Sequence, residues 1–312
     1  QVALMALGLE PGDEVITSDF TFAATVEVIG LLQLTPVLVD VDADTFCVDI
    51  EKLEKAITPK TKAIVPVHLF GQCANMEAVM EIAKKHNIFV VEDTAQAIGA
   101  EYTFDNGVKG KAGTIGDIGT TSFFPSKNLG CYGDGGALFT NDDKLAEICR
   151  SIVNHGMGER YYHNRLGVNS RLDSIQAAIL RIKLRELDNY SSARGQAASY
   201  YDNVFAEIDE IKTPVRDSKS THVFHQYTLV GSGIDHFELQ KYMGDKGIPC
   251  MIYYPVPLHS QEAYQNSSMK EEDFEVTNAL CKSVFSLPMH TELTEDQLKY
   301  ITDTVKDFIK NK

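Results

Sequence analysis

The sequence predicts an α/β protein: a large domain on a mostly parallel sheet flanked by helices, followed by a smaller α+β C-terminal domain. Three observations carry that expectation. From Pro11 to Asn141, short β-rich runs alternate with helical stretches, the pattern of strands joined by crossover helices. After Gly167 the pattern turns helical as far as residue 208. Beyond Thr213 strands and helices resume in a new order. Residues 1–190 are therefore expected to form the large domain, and residues 191–312 a linker helix and the small C-terminal domain.

Residues 1–7 (QVALMAL) read as the second half of an apolar helix closed by Gly8, with no cap before it. The expectation is that part of the large domain lies upstream. Strands are expected at 14–17, 36–41, 63–69, 88–92, 119–124 and 136–140. Helices are expected at 25–34, 50–56 and 75–86, the last with Met76, Val79, Met80, Ile82 and Ala83 at helical spacing. Residues 171–190 and 195–208 form one or two long helices. Strands at 224–230 and 252–255 and helices at 236–246 and 296–310 complete the C-terminal part. No internal repeat or low-complexity segment interrupts the chain.

With 312 residues, 44% of them apolar, the chain can bury a core without disulfide staples. Lys and Arg total 29 and Asp and Glu total 44, a net charge of −15 that repels polyanions. Neither nucleic acid nor a membrane is an expected partner, and any phosphate must be held locally by amides and a few side chains. No apolar run reaches the roughly 18 to 20 residues that span a bilayer, and no leader opens the chain, so a soluble, cytoplasmic protein is expected. Cys47, Cys73, Cys131, Cys149, Cys250 and Cys281 include no C-x-x-C pair, as in a protein that keeps reduced thiols and holds no metal.

In open α/β sheets ligands bind outside the carboxyl ends of strands, which directs attention to three segments. In Ile88-Phe-Val-Val-Glu-Asp-Thr-Ala-Gln, an apolar strand delivers Asp93 to its end, with Gln96 three residues on. Asp93 is either the cap of a following helix or a carboxylate fixed against a ligand. In the stretch from Thr120 to Gly136, Lys127 sits among apolar, aromatic and glycine residues. It is either a lysine in a turn or a half-buried amine whose lowered pKa suits attack on a carbonyl. In Asp19-Phe-Thr-Phe, Phe22 is either core or a ring to stack upon.

Together these parts suit pyridoxal 5′-phosphate, which needs an amine for its aldehyde, a carboxylate for its pyridine nitrogen, a stacking aromatic and phosphate donors. Lys127, Asp93, Phe22 and Ser122 fill those roles in turn. A dinucleotide-binding oxidoreductase is disfavoured because no G-x-G-x-x-G follows a strand, and no P-loop lysine motif is present.

The sequence resembles the DegT/DnrJ/StrS family of fold-type I, pyridoxal-phosphate-dependent nucleotide-sugar aminotransferases. The resemblance rests on Pro11-Gly-Asp-Glu-Val-Ile, Phe20-Thr-Phe, Val67-His-Leu-Phe-Gly-Gln, Glu92-Asp-Thr-Ala-Gln-Ala, Ser122-Phe-Phe-Pro-Ser-Lys-Asn-Leu-Gly and Gly167-Val-Asn-Ser-Arg-Leu-Asp, with a weaker echo at Tyr253-Tyr-Pro-Val-Pro-Leu. It implies that Lys127 is the Schiff-base lysine and proton carrier, that Asp93 pairs with the pyridinium, and that Gln96 bonds the ring hydroxyl. It further implies Phe22 stacked on the ring, Ser122 on the phosphate, and a homodimer in which Asn169 reaches the neighbouring subunit's phosphate and Arg171 binds a carboxylate there. For Arg171 the alternative is a helix-start arginine paired with Asp173 or Glu186. Asp19, Phe20, Tyr253, Tyr254 and His259 are implied at the sugar site.

Within the family the likeness is to enzymes that aminate a 3-keto nucleotide sugar with L-glutamate as donor. UDP-2-acetamido-2-deoxy-3-oxo-glucuronate, a precursor of bacterial surface polysaccharide, is the implied substrate. A dTDP-3-keto or UDP-4-keto-6-deoxy sugar, or a non-catalytic relative, are the alternatives. A dehydratase of the same fold carries histidine where Lys127 stands. Two departures from the family pattern stand out: Tyr253-Tyr254 replaces His-Tyr before proline, and the upstream Gly-Thr turn that holds phosphate is not in the sequence. His155 lies beside these motifs and reads as a loop histidine.

Overall fold

The computed structural model of the chain describes residues 1–265 and 269–311. Helix α1 (Val2–Ala6) leads to β1 (Glu14–Ser18), α2 (Ala24–Leu31), β2 (Thr35–Val39), α3 (Ile50–Lys55), β3 (Thr61–Val65), α4 (Met76–His86) and β4 (Phe89–Asp93). A small hairpin, β5 (Glu101–Thr103) and β6 (Lys109–Lys111), precedes β7 (Ile118–Ser122), β8 (Gly136–Phe139) and α5 (Asp143–Ile152). A second hairpin, β9 (Met157–Glu159) and β10 (Tyr162–His163), leads to α6 (Ser174–Lys183) and α7 (Leu187–Phe205). The C-terminal part holds β11 (Ile211–Lys212), β12 (Tyr227–Gly231), α8 (His236–Asp245), α9 (Glu275–Cys281), β13 (Val284–Leu287) and α10 (Glu295–Lys310).

Six strands form the central sheet in the order β2-β1-β3-β4-β7-β8. All neighbours run parallel except β8, which returns antiparallel along β7 at the edge. Successive residues of the inner strands feed opposite faces, as a sheet covered on both sides requires. Ile16, Ile64 and Val90 join the cluster under α3 and α4, whereas Val15, Val65 and Val91 join the one that holds α1 and α5. Asn75 caps α4 by accepting from the Ala78 amide at 3.2 Å, and Asn87 ends it in the left-handed region. Beyond the sheet, an antiparallel layer β11-β12-β13 packs with α7, α8 and α10 around Tyr201, Tyr227, Leu239, Phe285 and Val305.

The structure adds α5, α9, β11, β13 and two hairpins to the elements the sequence predicts, and it changes several of the predicted ones. The strand expected at 63–69 stops at Val65, where Pro66 removes a ladder donor, and 69–71 form a tight turn instead. The strand expected at 252–255 does not form; beside it an isolated bridge pairs Met251 with Ser286. The helical stretch breaks at a 3₁₀ turn, Leu184–Glu186, and α7 runs straight through Gly195. No helix follows Asp93; residues 95–99 form turns. Among the described residues no helix is long and apolar enough to cross a membrane, and no cluster of His, Cys, Asp and Glu could hold a metal.

Candidate active site

The carboxyl end of β4 carries two acids on opposite faces. Glu92 is wholly buried, and an unpaired carboxylate there would be costly. Its oxygens accept from the amides of Gly113 at 2.8 Å and of Ile115 and Gly116 at 2.7 Å, and from His68 Nε2 at 2.9 Å. His68 Nδ1 accepts from the Ala74 amide at 3.1 Å, which places the ring hydrogen on Nε2, toward Glu92. Burial works against the charge, but His68 and the amides outweigh it and hold the Glu92 carboxyl below its ordinary range. Asp93 faces the other way, half-buried, with Oδ2 accepting from Thr25 Oγ1 at 2.7 Å and Oδ1 from the Ala95 amide at 3.1 Å.

Lys127 lies on the loop after β7. Its amide donates to the Phe124 carbonyl at 2.9 Å, closing a turn. The chain folds back so tightly that a Cβ at Gly130 would lie 2.4 Å from the Pro125 carbonyl oxygen, which only glycine avoids. Lys183 Nζ donates to the Gly130 carbonyl at 2.7 Å and fixes the loop from α6. Lys127 is half-buried; burial pulls its pKa below the ordinary value, and nearby Asp93 only partly opposes this. Ser122 Oγ accepts from the Phe124 amide at 3.2 Å and keeps its own hydrogen for another acceptor.

Asp93, Thr25, Ala95, Thr120, Thr121 and Ser122 border a cavity of about 210 Å³. Thr120 and Thr121 also wall a cleft of about 620 Å³ that reaches Asp134, Asn169 and Arg171. Asn169 and Arg171 are exposed, and Arg171 Nη1 donates to Asn154 Oδ1 at 2.9 Å rather than pairing with Asp173 or Glu186. His155 is exposed at a positive φ beside this cleft, its carbonyl accepting from His163.

The two phenylalanines of Phe20-Thr-Phe divide the labour. Phe20 is core, while Phe22 is 59% exposed, with its ring 6.4 Å from that of Tyr254. Tyr254 also packs edge-on against Phe20 at 5.9 Å and against Tyr253 at 5.9 Å. Gln96 is buried: its Oε1 accepts from the Phe70 amide at 2.7 Å and its Nε2 donates to the Tyr254 hydroxyl at 3.1 Å, leaving one amide hydrogen. Asp19 is buried and clasps His259, accepting from its amide and meeting Nδ1, both at 2.7 Å, behind the Tyr253-Tyr254 turn.

The structure thus brings Asp93, Lys127, Ser122, Phe22, Gln96 and Tyr254 to one end of the sheet, and sets Asn169 and Arg171 across the adjoining cleft. Thr25 is a site residue that the sequence reading missed, and Glu92, on the opposite face, is a buried support of the strand end that it missed too. Glu92 had a signal, an acid inside an apolar strand that needs buried partners. Thr25 is paired with Asp93 only by tertiary packing.

Residues 1–306 match the DegT/DnrJ/EryC1/StrS aminotransferase family. The chain is 47% identical to the pleiotropic regulatory protein of Geobacillus stearothermophilus, over 99% of this chain and 82% of that protein. It is 45% identical to the UDP-2-acetamido-2-deoxy-3-oxo-D-glucuronate aminotransferase of Pseudomonas aeruginosa, over 96% of this chain and 81% of the relative. The crystal structure of DesV from S. venezuelae in complex with a ketimine intermediate superposes with a TM-score of 0.92 at 38% identity, over 98% of this chain and 81% of that one. The chain belongs to the DegT/DnrJ/EryC1/StrS aminotransferase family.

Proposed function

We propose that the chain is a pyridoxal 5′-phosphate-dependent aminotransferase that moves the amino group of L-glutamate to a 3-keto nucleotide sugar. The sugar is UDP-2-acetamido-2-deoxy-3-oxo-glucuronate, on the way to a bacterial surface polysaccharide, and the enzyme works in the cytoplasm as a homodimer with shared sites. The observation that carries this reading is Asp93, held by Thr25 at the wall of a cavity and close enough to act electrostatically on a half-buried Lys127 whose pKa burial lowers. The 45% identity to the P. aeruginosa enzyme supports the choice of sugar.

The residues fit the cofactor. Asp93 offers a carboxylate to a pyridine nitrogen, Phe22 an open ring face, Ser122 a hydroxyl hydrogen for phosphate, and Gln96 its remaining amide hydrogen for the ring hydroxyl. When bound, the cofactor supplies an aldehyde that takes up an amine and a ring that accepts the electrons of a broken C–H bond. Lys127, as a neutral amine, accepts the α-proton of the donor amino acid and later gives a proton back. Lowering its pKa raises the neutral fraction that can do so.

Asn169 contributes to the partner's phosphate, and Arg171 keeps guanidinium hydrogens beyond the one given to Asn154 for bidentate capture of a carboxylate. Glutamate and a uronate both present one, so a single arginine serves both halves of the reaction. Tyr253 and Tyr254 border the sugar, with residues 1–190 as the cofactor-holding domain and 191–312 as the linker and small domain.

The test is the absorbance of the purified protein with added cofactor, before and after glutamate, in wild type and Lys127→Ala. The expected result is a lysine-linked band that glutamate abolishes, absent from the variant. A protein whose spectrum ignores glutamate is a non-catalytic relative. Mass spectrometry of the aminated product then ranks the UDP-3-keto-uronate against a dTDP-3-keto-6-deoxy sugar, and faster turnover of the latter overturns the substrate assignment.

A further inference from the structure

The loop that carries Lys127 is held by a backbone turn and, from α6, by Lys183, but near its tip it is held by one side chain. Among the described residues, Asn128 is the residue of 125–129 whose side chain hydrogen-bonds, and it is buried. Its Nδ2 donates to the Val223 carbonyl at 2.9 Å. That bond orients the amide, so Oδ1 accepts from His225 Nδ1 at 3.1 Å and the ring hydrogen sits on Nδ1. Val223 and His225 are buried as well, where neither group has water as an alternative partner.

The segment that Asn128 grips is itself fixed. Arg194 Nη1 on α7 donates to the carbonyls of Phe224 at 3.0 Å and His225 at 3.3 Å. The Val223 amide donates to the Gly71 carbonyl at 2.9 Å, and the Gln226 amide to the Phe70 carbonyl at 3.3 Å. Gly71 has a φ of +114°, and a Cβ there would lie 2.9 Å from the amide nitrogens of Phe224 and His225, so the turn comes this close only as glycine. The Phe70 amide in turn donates to Gln96 Oε1 at 2.7 Å. A continuous run of bonds therefore leads from Asn128 through 223–226 and the turn at 69–71 to Gln96.

We propose that Asn128 is a positioning residue: its two bonds to the segment before β12 set the place of the Lys127 amine relative to Gln96. The proposal rests on Lys127 being the reacting lysine. Among the described residues no hydrogen bond engages the Lys127 amine itself. An amine that takes up a proton and gives it back has to move, so its starting place is fixed through the neighbouring residue and not through its own bonds.

The test follows Lys127 in the full chain, freed of cofactor, by reductive methylation at a series of pH values, with peptide mass spectrometry reading the modified fraction. Burial lowers the Lys127 pKa more than Asp93 raises it, so an amine released with its loop titrates higher. Asn128→Leu, close in size, removes both bonds, and the pH midpoint of Lys127 labelling is expected to rise by about one unit, a tenfold change in proton affinity. His225→Leu removes one bond of the two and moves the midpoint the same way by less. His225→Asn, whose Nδ2 takes the place of the ring Nδ1–H, stays near the wild-type midpoint. Val305→Ala, on α10 in the C-terminal core, lowers Tm without touching the clasp and leaves the midpoint where it is. In the holoenzyme, Asn128→Leu lowers kcat while KM for glutamate changes little.

A folded Asn128→Leu protein with an unchanged or lower midpoint overturns the proposal; if that variant does not fold, an unchanged midpoint in His225→Leu does so. A His225→Asn midpoint as high as that of His225→Leu also overturns it, as does a Val305→Ala midpoint raised as far as that of Asn128→Leu, the mark of general loosening. Failure of the Lys127 assignment is read separately, as a Lys127→Ala protein that still forms the cofactor-linked band.

Discussion

Thr25 donates its hydroxyl hydrogen to Asp93 Oδ2 at 2.7 Å, so a residue in the first turn of α2 aims a carboxylate 68 positions away at the end of β4. The bond leaves Oδ1, which takes only the Ala95 amide, with lone-pair capacity toward the cavity. Removing the hydroxyl in Thr25→Val frees the carboxylate to rotate. A hydrogen bond to a charged group is worth about 1.5–3 kcal/mol, so kcat/KM is expected to fall roughly ten- to a hundredfold. Asp93→Asn removes the charge itself and is expected to cost about 10²–10³ in kcat. Steady-state kinetics of both variants check the order; a Thr25→Val enzyme with wild-type kcat/KM contradicts it.

Glu92 is predicted to be a stability residue. Its carboxylate is held low by His68 and three amides against the cost of burial, so its contribution is complete above its unfolded pKa of about 4.5 and is lost as pH falls through the depressed folded value. Glu92→Gln leaves His68 and the amides short of an acceptor and is expected to destabilise by about 3–5 kcal/mol at neutral pH. Urea unfolding at neutral and acid pH measures this. The variant's deficit should shrink on the acid side, and a constant deficit would sink the assignment.

The clasp of Asp19 on His259 predicts the opposite pH dependence. Burial favours the neutral ring, but the bonds to Asp19 and to Glu271 raise the His259 pKa above its ordinary 6.5. A raised folded value means that the stabilisation is present below the unfolded value and lost as pH rises through the folded one. His259→Gln is therefore expected to lower Tm more at about pH 6 than at about pH 9. Equal losses at both ends would show that the ring acts by packing on Phe274 alone.

The sheet was legible because the inner strands are short apolar runs whose neighbours on both faces are helices; residues such as Val15 and Ile16 admit no other placement. Met76 to Ala83 read as a helix because their spacing matches the buried face of α4. The tight turn at 69–71 and the irregular Tyr253-Tyr254 segment were misread because aromatic and β-branched content imitates a strand; Gln96 instead takes the Phe70 amide in the first and the Tyr254 hydroxyl in the second. At the site, Asp93, Lys127 and Phe22 were visible as residue types out of place in their surroundings. Thr25 was not, because an ordinary residue acquires a role only from the contact that tertiary packing gives it.

Helix α7 has a mechanical consequence. Its first residue, Leu187, packs with Phe123, Leu129 and Leu180 beside the lysine loop, and its last, Phe205, lies in the C-terminal core. Between them Arg194 grips the carbonyls of Phe224, His225 and Met289. The packing beside the lysine loop and the C-terminal core therefore share one helix, so that a displacement of α7 is a displacement of both.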